Sequence, residues 1–300
     1  MRAWFGETGA SPAGRTAAEL SKWAAASNSE GIDKTMDFER LATEAQLCSS
    51  FIEYRHLLHE TAISVAREHI TRSLSVQDAY IIQAVNALDD LNEAYNALTE
   101  RLAEWYGVHY PELRARPQEL ISFILQHGSR DASGSLVVNS MGAHMSENDV
   151  HAVQGLAAAA QILFDERKAL EKYISSSVES FAPNLSSLLG PLLAARFIAL
   201  AGGLDKLARM PASTIQVMGA GEALFKHLRA GAPSPKHGLI FNHPLISGSP
   251  KRIRGKVSRM LSAKTAIAAR VDYYSGNLTD LGDMKEKVDA IKKRSGRKKK

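Results

Sequence analysis

Cysteine is nearly absent from this 300-residue chain. Cys48 stands alone, which excludes an intramolecular disulfide framework, and no Cys/His spacing suggests a structural zinc site. A reducing compartment, cytosolic (cytoplasmic) or nuclear, is expected. No secretory leader is expected either, because MRAWFGETGASPAG does not read as a basic region followed by an apolar core. The longest apolar stretch, Leu185 to Leu204, has about the length of a membrane span but holds Pro191, Arg196 and the pair Gly202 and Gly203. A lone Arg at mid-membrane is costly, so the stretch is expected to be a buried core helix and no membrane partner is expected.

Catalytic constellations are missing too. Gly219 and Gly221 precede a helix in VMGAGEALFKHLRAG, but Leu224 stands where a dinucleotide fingerprint needs its third glycine, and no βαβ unit surrounds them. The adjacent Asp89 and Asp90 point to different sides of a helix and cannot act as paired carboxylates. The serines between Ser175 and Ser180 have no neighbouring base. His56 and His59 lie three apart without a third ligand, Glu60 being expected on another face, so no metal is expected. A purified chain that methylates RNA by itself would need a cofactor-binding βαβ core, and none is visible.

What the chain does contain is a soluble composition, 45% hydrophobic and 23% charged, with a length that suggests about two domains. Its net charge of +5 conceals a division. From Gly221 to Lys300 there are 19 Lys and Arg against 6 Asp and Glu; the first 220 residues hold 18 against 26. Clustered cations displace the counterions condensed on phosphates, so the C-terminal part is the anion binder, while the acidic remainder repels the same ligand.

The first 35 residues show no clear period and are expected to be weakly structured or α+β. From Asp37 to about Ile70 apolar residues fall near one face, which predicts a long helix. After Ser73 and Ser75, either a candidate N-cap, Ile81, Ala84, Leu88, Leu91, Tyr95, Leu98, Leu102 and Trp105 alternate spacings of three and four. Gly107 and Pro111 are expected to end this seam. A second begins after Ser146, with Glu147 and Asp149 in its first turn, and runs through Val153, Leu156, Ala160, Leu163, Arg167, Leu170 and Ile174 towards Pro183. Between them lie WYGVHYPEL, a short helix from Pro117 to His127 and a Gly/Ser loop. Together they predict an antiparallel helical hairpin with each arm about 50 Å long. One hairpin leaves apolar surface uncovered. Homodimerisation through the stalk is therefore expected, with a two-helix part of a monomeric bundle as the alternative.

From Asn184 onward shorter helices are expected: Leu185 to Ala201, Leu204 to Met210, Glu222 to Ala230 and Ile253 to Tyr274. The closing KKRSGRKKK is a like-charge run, expected to be a disordered clamp on RNA or a solvated tail. Lys226 and Arg229 lie three apart on one helix, Lys236 and His237 follow a PSP turn, and His243 precedes Pro244. Lys251, Arg252, Arg254, Lys256 and Arg259 flank the start of the last long helix. Cations there oppose the helix dipole, an arrangement that makes sense where phosphate binds. His243 is open to two readings, stacking on an extruded base or an internal hydrogen bond shaping its loop.

The run from GPLLAARFIALAGG to KHGLIFNHPLI, followed by GKVSRMLSAKTAIAARVDYYSG, closely resembles the Nop domain. NALDDLNEAYNALTERLAEWYGVHYPEL resembles the stalk of the same family, so the likeness covers about residues 74–276. Within the family the chain looks most like the archaeal scaffold of box C/D guide ribonucleoproteins. The resemblance implies a mainly α fold: a long antiparallel coiled-coil hairpin (71–182), an all-α C-terminal Nop domain (183–276), a basic tail (277–300) and a small N-terminal α+β region (1–70).

It also implies a non-catalytic scaffold with no cofactor of its own. In the family the Nop domain binds a kink-turn of the box C/D guide RNA together with the ribosomal-protein-like subunit seated on it. The coiled coil forms a homodimer through positions matching Leu88, Leu91, Tyr95, Leu98, Leu102, Leu156, Leu163 and Leu170. The N-terminal domain holds fibrillarin, which carries S-adenosylmethionine and methylates ribose 2′-OH groups of rRNA or tRNA. Carried over residue by residue, the RNA-facing candidates are Gly219, Ala220, Lys226, Lys236, His243, Arg252, Arg254, Lys256 and Arg259. The sequence departs from the family pattern in one place, since only about 70 residues precede the stalk. A trimmed docking region would present Trp4, Phe5 and the helix from Asp37. The alternative within the family is a splicing-type Nop protein, or a generic RNA-binding adaptor, that does not recruit fibrillarin.

Overall fold

The structure, a computed structural model, describes residues 2–3, 6–7, 37–74, 77–133, 140–280 and 284–297. It divides into two compact units, Met1–Val76 and Gln77–Lys300. In the first, β1 (Arg2–Ala3) and β2 (Gly6–Glu7) pair antiparallel with Arg2 opposite Glu7. Trp4, Phe5 and Trp23 lie outside the described residues. The expected single helix from Asp37 is two, α1 (Phe38–Glu44) and α2 (Phe51–Leu74). Asp37 caps α1 by accepting from the Arg40 amide, and Gln46 at φ 54° turns the chain out of it. His56 pairs with Glu60 at 3.8 Å, so Glu60 shares the histidine's face, contrary to the sequence expectation.

The second unit opens with the hairpin. Its arms are α3 (Gln77–His109) and α5 (Glu147–Phe181), with the short α4 (Pro117–His127) packed against both. Helix α3 passes through Gly107 and stops two residues later. Ser146 begins α5 as expected: its hydroxyl accepts from the Asp149 amide while Asp149 accepts from the Ser146 amide, a reciprocal cap. Ser73 falls inside α2, and Ser75 lies outside the described residues.

Along α3, Leu88, Tyr95 and Leu102 are buried while Leu91 and Leu98 are half-buried, and Trp105, expected to close the seam, is exposed. On α5 the buried residues are Val153, Ala157, Ala160, Ile174 and Val178, so Leu156, Leu163 and Leu170 flank the seam half-buried instead of filling it. The small Ala157 and Ala160 are fully buried, in one cluster with Tyr95 and Leu102 of α3 and Leu120, Ile121 and Ile124 of α4. Arg167, a seam position by its spacing, lays its guanidinium 5.2 Å from the Tyr95 ring and 5.0 Å from Phe164. This cation–π contact lets a charge occupy an apolar seam.

The remaining helices form a head at the base of the hairpin: α6 (Pro183–Leu189), α7 (Pro191–Ala201), α8 (Leu204–Arg209), α9 (Ala212–Val217), α10 (Gly221–Ala230), α11 (Pro244–Ser247), α12 (Arg254–Tyr274) and α13 (Met284–Arg297). The apolar stretch expected to be one core helix is two, because Gly190 at φ 82° bends α6 from α7 by 117°. Among the described residues no single helix is long and apolar enough to cross a membrane.

Helix α7 packs against both arms, and Phe197 and Ile198 join Ile81, Val85, Leu88, Ile174 and Val178 in one core. The region expected to be a basic tail (277–300) contains α13, which runs into the KKRSGRKKK run expected to be disordered as far as Arg297, and its Val288 is buried in that core with Met284 and Ile291 beside it. Spacings of four and three put these three residues on one face, which anchors the helix despite its charge.

Two helix starts are capped by distant carboxylates. Asp272 of α12 accepts from the Asn184 and Leu185 amides of α6 at 3.0 and 2.9 Å, and from Asn184 Nδ2 at 2.6 Å. Asp78, from the first turn of α3, accepts from the Leu204 amide at 2.9 Å. Next to it Gly203 adopts φ 134°, and a Cβ there would lie 2.9 Å from Asp78 Oδ2. The head thus receives caps from both the stalk and its own longest helix.

Near the outer end of the hairpin Tyr106 is 1% exposed, burial pushes its ionisation up to about 12, and its hydroxyl has no hydrogen-bond partner. An unpaired buried hydroxyl stabilises nothing. Tyr106→Phe is therefore expected to leave stability unchanged or raise it by about 1 kcal/mol, whereas Leu102→Ala, at a fully buried neighbour, is expected to cost about 2–5 kcal/mol. Urea unfolding of both variants checks this, and a loss at Tyr106→Phe comparable to that at Leu102→Ala would overturn it.

Candidate functional site

The cations of the head converge on the segment between α9 and α12. Its geometry is fixed from below by Gly238, whose amide donates to the Gln216 carbonyl at 2.9 Å while the next amide, of Leu239, reaches Met218. A Cβ on Gly238 would stand 2.0 Å from the Met218 carbonyl oxygen, so only glycine lets the two strips of backbone meet. Two residues earlier, Lys236 is exposed, its carbonyl accepts from Gln216 Nε2 at 2.7 Å, and its aliphatic stem lies against the position where Gly255 would carry a Cβ. Lys236 is thereby held beside the start of α12.

That start carries no acidic residue in its first turn and no side-chain cap. Lys251, Arg252, Lys256 and Arg259 are exposed around it, so cations stand where a helix dipole disfavours them. Arg254 does something else. Its Nε donates to the Ser249 carbonyl at 2.8 Å, Nη2 to Ser247 at 3.2 Å, and its guanidinium covers the Phe241 ring at 5.3 Å. Its donors shape the turn after α11 while its charge remains part of the cationic face. His237 stacks on the same Phe241 ring, centroids 4.6 Å apart and planes inclined by 20°. Charge and motif alone single out neither Phe241 nor its contact with His237; the histidine–aromatic spacing of four in KHGLIF is the signal that could have found them.

His243 does not face outward. It is 9% exposed, and its Nδ1 accepts from the Leu245 amide at 3.2 Å as the cap of α11. Burial lowers its pKa from the ordinary 6.5, opposed by a hydrogen bond to the Leu188 backbone. Of the two readings of this ring, the internal hydrogen bond is the one the structure contains, and a ring so buried presents no face for an extruded base to stack on.

Gly219 turns the chain into α10 at φ 81°, with Ala220 half-buried at the cap position. Helix α10 has no buried residue: Phe225 and Leu228 are 53% and 74% exposed, Lys226 and Arg229 are exposed beside them, and Arg229 lies 4.3 Å over the Phe225 ring. Among the described residues no group of three or more His, Cys, Asp or Glu could hold a metal ion.

Because the folded state keeps His243 uncharged, unfolded chains bind its proton first as pH falls through 6.5. Its contribution is therefore present above 6.5 and is lost progressively below it. Denaturant titrations at pH 7.5 and 5.5 are expected to show the advantage of wild type over His243→Asn shrinking at the lower pH. An advantage that stays constant or grows would show that the ring is not held neutral.

The family model described as "Nop: snoRNA binding domain, fibrillarin" matches residues 87–293. An uncharacterized NOP5 family protein of Methanocaldococcus jannaschii is 37% identical over 277 residues, 85% of this chain and 67% of the relative. Nucleolar protein 58 of Lodderomyces elongisporus is 34% identical over 239 residues, 73% of this chain and 46% of the relative. In Sclerotinia sclerotiorum the corresponding figures for nucleolar protein 58 are 36%, 71% and 41%. The chain thus spans less than half the length of these two nucleolar relatives. A crystal structure titled as a fibrillarin/Nop5p complex aligns over 98% of both chains at 24% identity with a TM-score of 0.46. With the family model covering its stalk and head and an archaeal relative at 37% identity, the chain belongs to the Nop family, in its NOP5/nucleolar protein 58 branch.

Proposed function

We propose that this chain is a non-catalytic scaffold of a box C/D guide ribonucleoprotein. Its head grips a kink-turn RNA already carrying its ribosomal-protein-like subunit, its stalk pairs with a second copy, and the assembly presents fibrillarin for RNA-guided ribose 2′-O-methylation. One observation supports the composite target above the others: the head offers two chemically different surfaces. Lys236, Lys251, Arg252, Lys256 and Arg259 form a cationic face suited to phosphates. Helix α10 offers the exposed apolar pair Phe225 and Leu228, which a polyanion cannot satisfy but a protein surface can. An RNA dressed with protein matches both.

The half-buried Leu91, Leu98, Leu156 and Leu163, with Ile162 at 62% exposure, leave the hairpin with apolar surface that a second hairpin would cover. The fibrillarin named in the family description supports the methyltransferase as partner, with S-adenosylmethionine held there and not here. For nucleolar protein 58 the name itself gives the nucleolus, and a scaffold of this kind works wherever the RNA is modified.

Assembly from purified parts tests the reading. Chain, fibrillarin, guide RNA and kink-turn subunit are mixed with each omitted in turn. Stable capture of the chain is expected only when RNA and kink-turn subunit are both present, with fibrillarin joining through the chain. Replacing Lys256 and Arg259 by Ala is expected to weaken this capture about tenfold or more and to flatten its dependence on salt, since removing one phosphate-neutralising cation lowers the salt slope by about one. Capture by bare RNA of any sequence, or an unchanged salt slope in the double variant, would contradict the proposal.

A further inference from the structure

His237 is placed where a histidine is hard to charge. Its ring is half-buried and stacked on Phe241, with the guanidinium of Arg254 over that same ring and Lys236 next to it in the chain. Burial, then Arg254, then Lys236 lower its pKa from 6.5, outweighing a backbone hydrogen bond at His237 that raises it. The charged groups acting on it come from its own loop and from α12, and both are cations. The Lys236 carbonyl accepts from Gln216 and its stem lies beside Gly255, while Arg254 is committed to the Ser247 and Ser249 carbonyls. Two positive charges therefore act on a ring that has a basic nitrogen to offer, and no acidic group is among those that shift it.

We propose that His237 is a proton-linked phosphate contact, uncharged in the free chain and protonated when an RNA phosphate settles between Lys236 and Arg254. The inference rests on the reading of this face as an RNA surface and adds a ligand group and a regulation to it. A phosphodiester brings a negative charge to a place where two positive ones repel the imidazolium. Once it is there, the sign of the local potential reverses, and a third donor becomes favourable. The proton comes from solvent; no bond other than N–H is made. In the free protein the face carries one charge fewer, so its pull on arbitrary polyanions is weaker, and the extra charge appears only against a closely held phosphate. The neighbouring histidines are spent elsewhere: His227 Nδ1 is hydrogen-bonded to the Ala232 carbonyl, and His243 caps α11.

The sign follows from linkage. A complex that holds one more proton than its separated parts binds more tightly as pH falls, by up to about tenfold per pH unit between the free and bound pKa values. The probe is a box C/D guide RNA loaded with its kink-turn-binding protein, titrated with full-length chain by calorimetry at pH 7 in two buffers of different ionisation enthalpy. Wild type is expected to take up a substantial fraction of a proton and to bind several-fold more tightly at pH 6.5 than at pH 8. His237→Gln is expected to match wild type at pH 8 and to lack both the uptake and the pH slope. His237→Lys, charged at every pH, is expected to bind tightly throughout and to gain affinity for an unrelated single-stranded RNA.

Binding by wild type without proton uptake, or equal uptake by His237→Gln, would overturn the assignment while leaving the RNA face in place. Absence of binding at any pH would overturn the RNA face instead. If His237→Gln fails to fold, the imidazole resonance of wild-type His237 decides by itself: it must titrate below 6.5 in the free chain and move upward in the complex, and an unmoved resonance counts against the proposal.

Discussion

The head keeps its place because α7 is buried between the bases of the two long helices. Phe197 and Ile198 are fully buried against Ile81, Val85, Leu88, Ile174 and Val178, so the apolar surface that closes the hairpin also seats the helix on which the rest of the head is built. Asp78 then caps α8 from the stalk, and Asp272 caps α6 from α12. These carboxylates bond to amides that no intrahelical partner satisfies, which makes them directional where the apolar core is not. The exposed ion pair of Arg196 with Asp89 at 2.7 Å spans the same junction and adds little by comparison.

On this frame charge is separated by function. The first 220 residues carry a surplus of acidic groups and the last 80 a surplus of basic ones. Within the basic part the cations divide again by task. Arg254 gives its donors to carbonyls and its charge to the surface, whereas Lys236, Lys256 and Arg259 are exposed. Helix α10 stands apart from both, with no residue in the core and an aromatic ring under a guanidinium. A surface of this make-up is neither a simple polyanion groove nor a simple protein interface.

Much of this is legible in the sequence because periodicity reports burial. The stalk helices and Pro117–His127 show in their apolar spacing, and the reciprocal cap at Ser146 in the acidic first turn that follows it. The departures have physical causes. Leu156 and Leu163 look like seam residues because they are large, yet they are half-buried while Ala157 and Ala160 are fully buried. The run after Leu185 looks like one helix because composition does not register a glycine at φ 82°. The C-terminal helix is hidden by its lysines, although Met284, Val288 and Ile291 mark a buried face. At the site, exposed cations are readable from charge alone. His243 is not, since whether a loop histidine points in or out depends on the Leu245 amide it caps.

The central claim is that one face of the head, cationic around the start of α12 and apolar along α10, is covered by a protein-bearing RNA. Hydrogen–deuterium exchange of the chain, free and bound to kink-turn RNA with its protein subunit, measures this most directly. The account predicts slowed exchange in two separate segments, Gly221–Ala230 and residues 236–259, both appearing together when the RNA carries its protein subunit. Protection confined to the acidic outer faces of the stalk, with both head segments exchanging as in the free chain, would contradict it.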